Sequence, residues 1–204
     1  MNSHDRPAAR ERMPKERMAA FSDGVIAIII TIMVLELKVP HGETLAAMRP
    51  LLPVFLSYVL SFVNVGIYWN NHHHLLHACH RVSAGILWAN LHLLFWLSLV
   101  PFATAWMGES HFATIPVALY GIPLLMSGAA YSVLCATLIR ENGKDSALAR
   151  VLSRDWKARV SMVAYVAAIP LAFVHSAISL TLYIATASLW LIPDTRLEKY
   201  LKSN

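Results

Sequence analysis

Six apolar windows without a single lysine or arginine constrain this chain more than any other feature; they run over 19–37, 51–69, 84–106, 112–138, 160–175 and 177–193. A helix needs about 20 predominantly apolar residues to cross the roughly 30 Å hydrocarbon core of a bilayer. Inside that core only helices and closed barrels satisfy every backbone polar group. The expected fold class is therefore all-α, a polytopic membrane protein with six transmembrane helices. Composition agrees: 57% of the residues are hydrophobic and 14% charged, against about 25% charged in a soluble domain. Pro170, His175 and Ser176 interrupt the last two windows, which marks either a tight hairpin or one kinked element.

Six crossings place the basic residues on one side of the membrane. Arg6, Arg10, Arg12, Lys15 and Arg17 precede the first window, Arg81 follows the second, Arg140 to Arg159 follow the fourth, and Arg196, Lys199 and Lys202 end the chain. Fifteen of the seventeen lysines and arginines thus fall on the side that also holds both termini, and only Lys38 and Arg49 fall opposite. By the positive-inside rule that side is cytoplasmic, giving a multi-pass protein of the cell membrane with both termini inside. The expected organisation is a cytoplasmic basic tail over 1–16, one six-helix domain over 17–193, and a cytoplasmic tail over 194–204. The basic excess calls for no nucleic acid partner, because topology accounts for it without a clustered basic face. The first window is full-length and lacks a small-residue cleavage pattern, so it reads as a retained span rather than a signal peptide. Cys79 and Cys135 both fall on the cytoplasmic side, where thiols stay reduced.

The longest connection contains "DSALARVLSRDWKARV", with Leu148, Val151, Leu152 and Trp156 at helical spacing opposite Arg150, Arg154 and Lys157. That pattern suits an interfacial helix on anionic lipid or an extension of the fifth span. No repeat relates the two halves, which argues against an inverted-repeat transporter.

Hydrolytic and phosphate-binding signatures are absent: there is no Walker loop, no HExxH and no nucleophile elbow. No enzymatic activity is expected. A TVGYG-type filter is absent as well. Polar residues gather instead in the first three windows and their ends: Arg17, Ser22, Asp23 and Thr31, then Asn64, Trp69, Asn70 and Asn71, then Trp88, Asn90, His92 and Trp96. An ionisable side chain at a helix centre costs about 2.5–3.5 kcal/mol on the insertion scale, so these groups need partners or water. At 100° per residue, Phe21, Val25, Ile28, Ile32 and Leu35 form one stripe flanked by Gly24 and Thr31, while Asp23 points elsewhere. Such a stripe is ordinarily packing surface; it would also serve as the lining of a narrow pore.

These residues carry a resemblance. "RMAAFSDG" fits the Arg-x-x-x-Phe-Ser-Asp signature of the transmembrane protein 175 family of potassium channels, and "YWNNHH", "LWANLHLL" and "PFAT" follow in the family's order. The resemblance implies a potassium-selective, leak-like cation channel, assembled as a homotetramer in which the first helix of each copy lines the pore. It implies a hydrophobic constriction at Ile28, Thr31 or Ile32, and Leu35. It also implies an assembly network built from the signature residues Arg17, Phe21, Ser22 and Asp23 with Trp69, His72, His73 and Asn90. No cofactor is expected, potassium being the permeant species, and the partners are further copies of the chain and membrane lipids. The residues themselves agree: one six-helix chain has too small a cross-section to enclose a wet path, and a ring of Ile28 and Leu35 would gate by dewetting.

The run "NNHHHLLHACH" places His73, His77 and His80 at helical spacings plausible for zinc or nickel. No metal site is expected, because His72 and His73 belong to the signature. His92 is expected to hydrogen-bond Asp23 or a neighbouring tryptophan. The alternative function is a proton-coupled or metal-ion transporter using Asp23, His72 and His92 as relay groups.

Overall fold

The computed structural model of the chain describes residues 15–77, 82–143 and 156–192. Helix α1 spans Lys15–Leu35, a short 3₁₀ helix spans Leu45–Leu51, and α2 spans Leu52–His77. They are followed by α3 (Ala84–Ser98), α4 (Val100–Glu109), α5 (Thr114–Asn142), α6 (Trp156–Leu171) and α7 (Ser176–Leu191). Four helical segments among the described residues are long and apolar enough to cross a membrane: Lys15–Leu35, Leu45–Leu76, Ala84–Glu109 and Thr114–Glu141. Helices α6 and α7 have 16 residues each, about 24 Å of length.

The all-α membrane class expected from the windows is the class observed; the boundaries differ in instructive ways. Helix α1 begins at Lys15, so Lys15 and Glu16 belong to the helix rather than to the basic tail. Helix α2 continues past Trp69 to His77, which carries the signature histidines on helix instead of loop. The third window is two helices. Pro101 lacks the N–H that would bond the carbonyl four residues earlier, and Leu99 turns the chain with a 3₁₀-type bond from its N–H to Trp96 O at 3.3 Å. The last two windows form a hairpin, resolving the choice left open by Pro170 and His175: α6 ends after Pro170, and His175 Nδ1 caps α7 by accepting from the Ala177 N–H at 3.2 Å. From "DSALARVLSRDWKARV", Trp156 onward is α6; Leu148, Val151 and Leu152 lie outside the described residues, as do Cys79, His80 and the segments 1–14 and 194–204.

Two clusters fill the interior. One joins α1, α2, α3 and the C-terminal half of α5 through Met18, Ile26, Ile29, Met33, Val65, Leu93 and Leu134. The other joins α4, α5, α6 and α7 around Tyr120, Tyr165 and Tyr183. Helix α5 packs against α3, α4, α6 and α7 and so connects the two. Helix α1 sits at the margin of this body, against α2, α3 and α4.

A pore-helix candidate with one locked face and one open face

Helix α1 buries Met18, Ser22, Ile26, Ile29 and Met33, a set with the three-to-four-residue spacing of a single helix face. Polar contacts fix that face. The Ser22 hydroxyl donates to Met18 O at 2.9 Å and accepts from Asn90 Nδ2 of α3 at 2.9 Å. Asn90 Oδ1 then meets His72 Nε2 of α2 at 2.6 Å. With the Asn90 amide group committed to Ser22, its carbonyl is the acceptor, so His72 carries a proton on Nε2. All three residues are buried, and the chain of bonds ties α1, α3 and α2 together.

A second tie stands beside it. Trp69 Nε1 donates to Asp23 Oδ1 at 3.0 Å, and the Trp69 ring lies tilted against His73, which meets His74. Asp23, His72 and His73 line one cleft with Lys15, Glu16, Ala19 and Leu76. The resemblance implied one network of these residues; the structure divides it into a tryptophan–aspartate bond and a separate serine–asparagine–histidine chain. Arg17 is exposed and joins neither. His92 meets Trp96, whose Nε1 donates to His92 Nε2 at 2.9 Å, and not Asp23.

The opposite face of α1 is open. Phe21 is 55% exposed, Ile28 64%, Ile32 45% and Leu35 78%, with Gly24 and Thr31 exposed between them. Thr31 spends its hydroxyl proton within the helix, donating to Ala27 O at 2.9 Å or Ile28 O at 3.1 Å. It therefore offers the open face an oxygen acceptor. Beside this stripe a groove of about 800 Å³ runs between α1 and α4, lined by Val25, Ile28 and Ile32 on one wall and Phe102 and Trp106 on the other. Glu36 and Glu109 stand at its end, where Lys38 Nζ pairs with Glu109 Oε1 at 3.0 Å.

Sequence reasoning missed the polar links behind α1. Ser61 bridges Thr104 at 2.6 Å and Tyr120 at 3.0 Å, and Thr104 reaches Met33 Sδ of α1 at 4.0 Å. The signal was a serine, a threonine and a tyrosine inside apolar windows. Among the described residues no group of three or more His, Cys, Asp or Glu converges on a common point; the His77 side chain and His80 lie outside them.

Residues 17–101 match the family profile described as endosomal/lysosomal potassium channel TMEM175. A potassium channel of Chryseobacterium sp. (strain P1-3) is 55% identical over 192 residues, spanning 94% of this chain and 100% of that protein. A potassium channel of Streptomyces collinus is 33% identical over 132 residues, spanning 61% of this chain and 64% of that one. The crystal structure of a lysosomal potassium-selective channel TMEM175 homolog from Chamaesiphon minutus superimposes with a TM-score of 0.76 at 26% identity, over 87% of this chain and 96% of that chain.

Proposed function

Because the chain belongs to the TMEM175 family, we infer that it is a potassium channel in which four copies of α1 surround one conduction path. The observation that carries this reading is the division of α1: one face is held to α2 and α3 by Ser22, Asp23, Trp69, His72 and Asn90, and the other exposes an apolar stripe that the other described residues leave uncovered. Copies related by rotation about an axis close a ring, and the stripes then face one another. Ile28 and Leu35 form the hydrophobic constriction, and Thr31 or Ile32 the layer between them. Ions pass when the ring widens enough to hold water and stop when it dries. Both termini lie in the cytoplasm and six crossings complete each copy, α6 and α7 forming the peripheral pair.

Flux through purified protein in liposomes tests the reading. A potassium gradient alone drives the membrane potential if the protein is a channel. Dependence on a proton or metal gradient would instead favour the relay reading built on Asp23, His72 and His92. The absence of any flux, from protein that runs as a tetramer, would overturn both.

A further inference from the structure

Helix α1 has two flanks, and the chain presents a different surface beside each. Counted around the helix from the buried Ser22, the residues Val25, Ile28 and Ile32 lie about 60–120° to one side and Asp23 about 100° to the other. Helix α4 stands on the first flank, where Phe102, Ala105 and Trp106 form the far wall of the open groove. Helix α2 stands on the second, tied there by the bond from Trp69 to Asp23.

Three- and four-residue spacing sets Phe55, Val59 and Phe62 of α2 in one row, and all three are exposed. The Tyr58 ring meets both phenylalanines, with centroids 6.5 and 6.0 Å away, so the row is a supported ridge. A ridge beside one flank and a groove beside the other suit a head-to-tail ring, in which every copy offers both surfaces.

Depth decides whether they can meet, because rotation about an axis along the membrane normal leaves depth unchanged. The bond from Trp69 to Asp23 sets the register of the antiparallel α1 and α2. At 1.5 Å per residue, Ile28 to Glu36 spans about 8–20 Å from that level and Phe62 to Phe55 about 10–21 Å. On the α4 wall, Ser61 meets Thr104 at 2.6 Å, which brings Ala105 close to the level of Val59. Charge completes the match. The groove ends at Glu36, and the ridge ends at Arg49, which the 3₁₀ helix sets in line with Leu52 three residues on. Both charges are exposed, and neither forms an ion pair with a described residue, Lys38 being held by Glu109.

We propose that the ridge of Phe55, Val59 and Phe62 on one copy seats in the groove between α1 and α4 of the next copy, with Arg49 meeting Glu36 of that neighbour. This rests on the tetrameric reading above and names the surfaces that close its ring. A second copy is the occupant, and not lipid, because ridge and groove share one depth and end in opposite charges.

Disulfide trapping in native membranes tests the contact. In a background of Cys79→Ser and Cys135→Ser, a chain carrying both Val59→Cys and Ala105→Cys should on oxidation give a ladder ending at a covalent tetramer on denaturing gels. Either cysteine substitution alone should remain monomeric there, since head-to-tail contact never brings two copies of one residue together. Unoxidised protein is sized in parallel. A tetramer that yields no ladder would overturn the proposal and leave the channel reading standing, whereas a monomer that yields none would overturn both. The charges supply a second measurement. Arg49→Glu should lower the tetramer fraction several-fold at low ionic strength, and adding Glu36→Arg to the same chain should restore it; no recovery would overturn the pairing.

Discussion

Two adjacent residues of α1 hold it in different ways, and their variants should separate. Trp69→Phe removes the N–H that meets Asp23 while Asp23 remains partly in contact with solvent through its cleft. A hydrogen bond to a charged group is worth about 1.5–3 kcal/mol when enclosed, so roughly 1 kcal/mol per copy is expected here. Asn90→Leu is harsher, because it strands the buried His72 N–H and the Ser22 hydroxyl oxygen together, at about 1–3 kcal/mol for each stranded group. Thermal unfolding of the two variants should therefore rank Asn90→Leu as the less stable. Asp23→Asn keeps the oxygen that Trp69 uses and should lie close to the wild type. If Asp23→Asn instead falls as far as Asn90→Leu, the charge itself is paired, and exposed Arg17 of a neighbouring copy becomes the partner to test. The residue types of this site were legible in the sequence, since ionisable and amide groups in apolar windows demanded partners. Which bonds to which was not, because the pairs join residues 18 to 68 positions apart and only helix packing sets those distances.

At the scale of the element, glycines and prolines mark where helices approach or break. Gly108 of α4 lies so close to α2 that a Cβ would collide with the Ser57 hydroxyl and stand 2.7 Å from the Val54 Cα. Backbone cannot move aside as a side chain can. Gly108→Ala should cost about 1–3 kcal/mol, the range for overpacking a tight contact, read as a lower unfolding temperature. The break between α3 and α4 was signalled by Pro101 yet submerged in a continuous apolar window; hydropathy reports burial in lipid and is blind to a turn whose residues are all apolar. Helix α1 is the reverse case. Its period alone showed which residues share a face, though not whether that face was packed inside the subunit, and only the exposure of Ile28 and Leu35 distinguishes the two. With Ile28 at the proposed constriction, Ile28→Asn should leave the fold of each copy intact, admit water there, raise current and reduce preference for potassium over sodium. An unchanged reversal potential would place Ile28 against lipid.

For the whole molecule, the open face of α1 and the groove beside it pose one question: whether lipid or another copy covers them. In a bilayer, lipid tails are as apolar as leucine, so helices associate through close packing and polar contacts rather than through expulsion from water. A side chain facing lipid can then be trimmed at little cost, while one interdigitated with another subunit cannot. Phe102 is 64% exposed on the isolated chain and lines the groove opposite Ile28 and Ile32. Where it packs against a second copy, Phe102→Ala loses contacts at every interface of the ring. The loss per site is a fraction of the about 3–5 kcal/mol that the same change costs a soluble core, but it recurs at each of the four interfaces of the proposed tetramer. The variant should shift from tetramer toward smaller species on size exclusion in detergent, with helix content unchanged. Tetramers that remain should keep the wild-type ion selectivity, because Phe102 belongs to α4 and not to the stripe of α1. A fully tetrameric Phe102→Ala protein would show that lipid fills this groove, and that the copies meet along another surface.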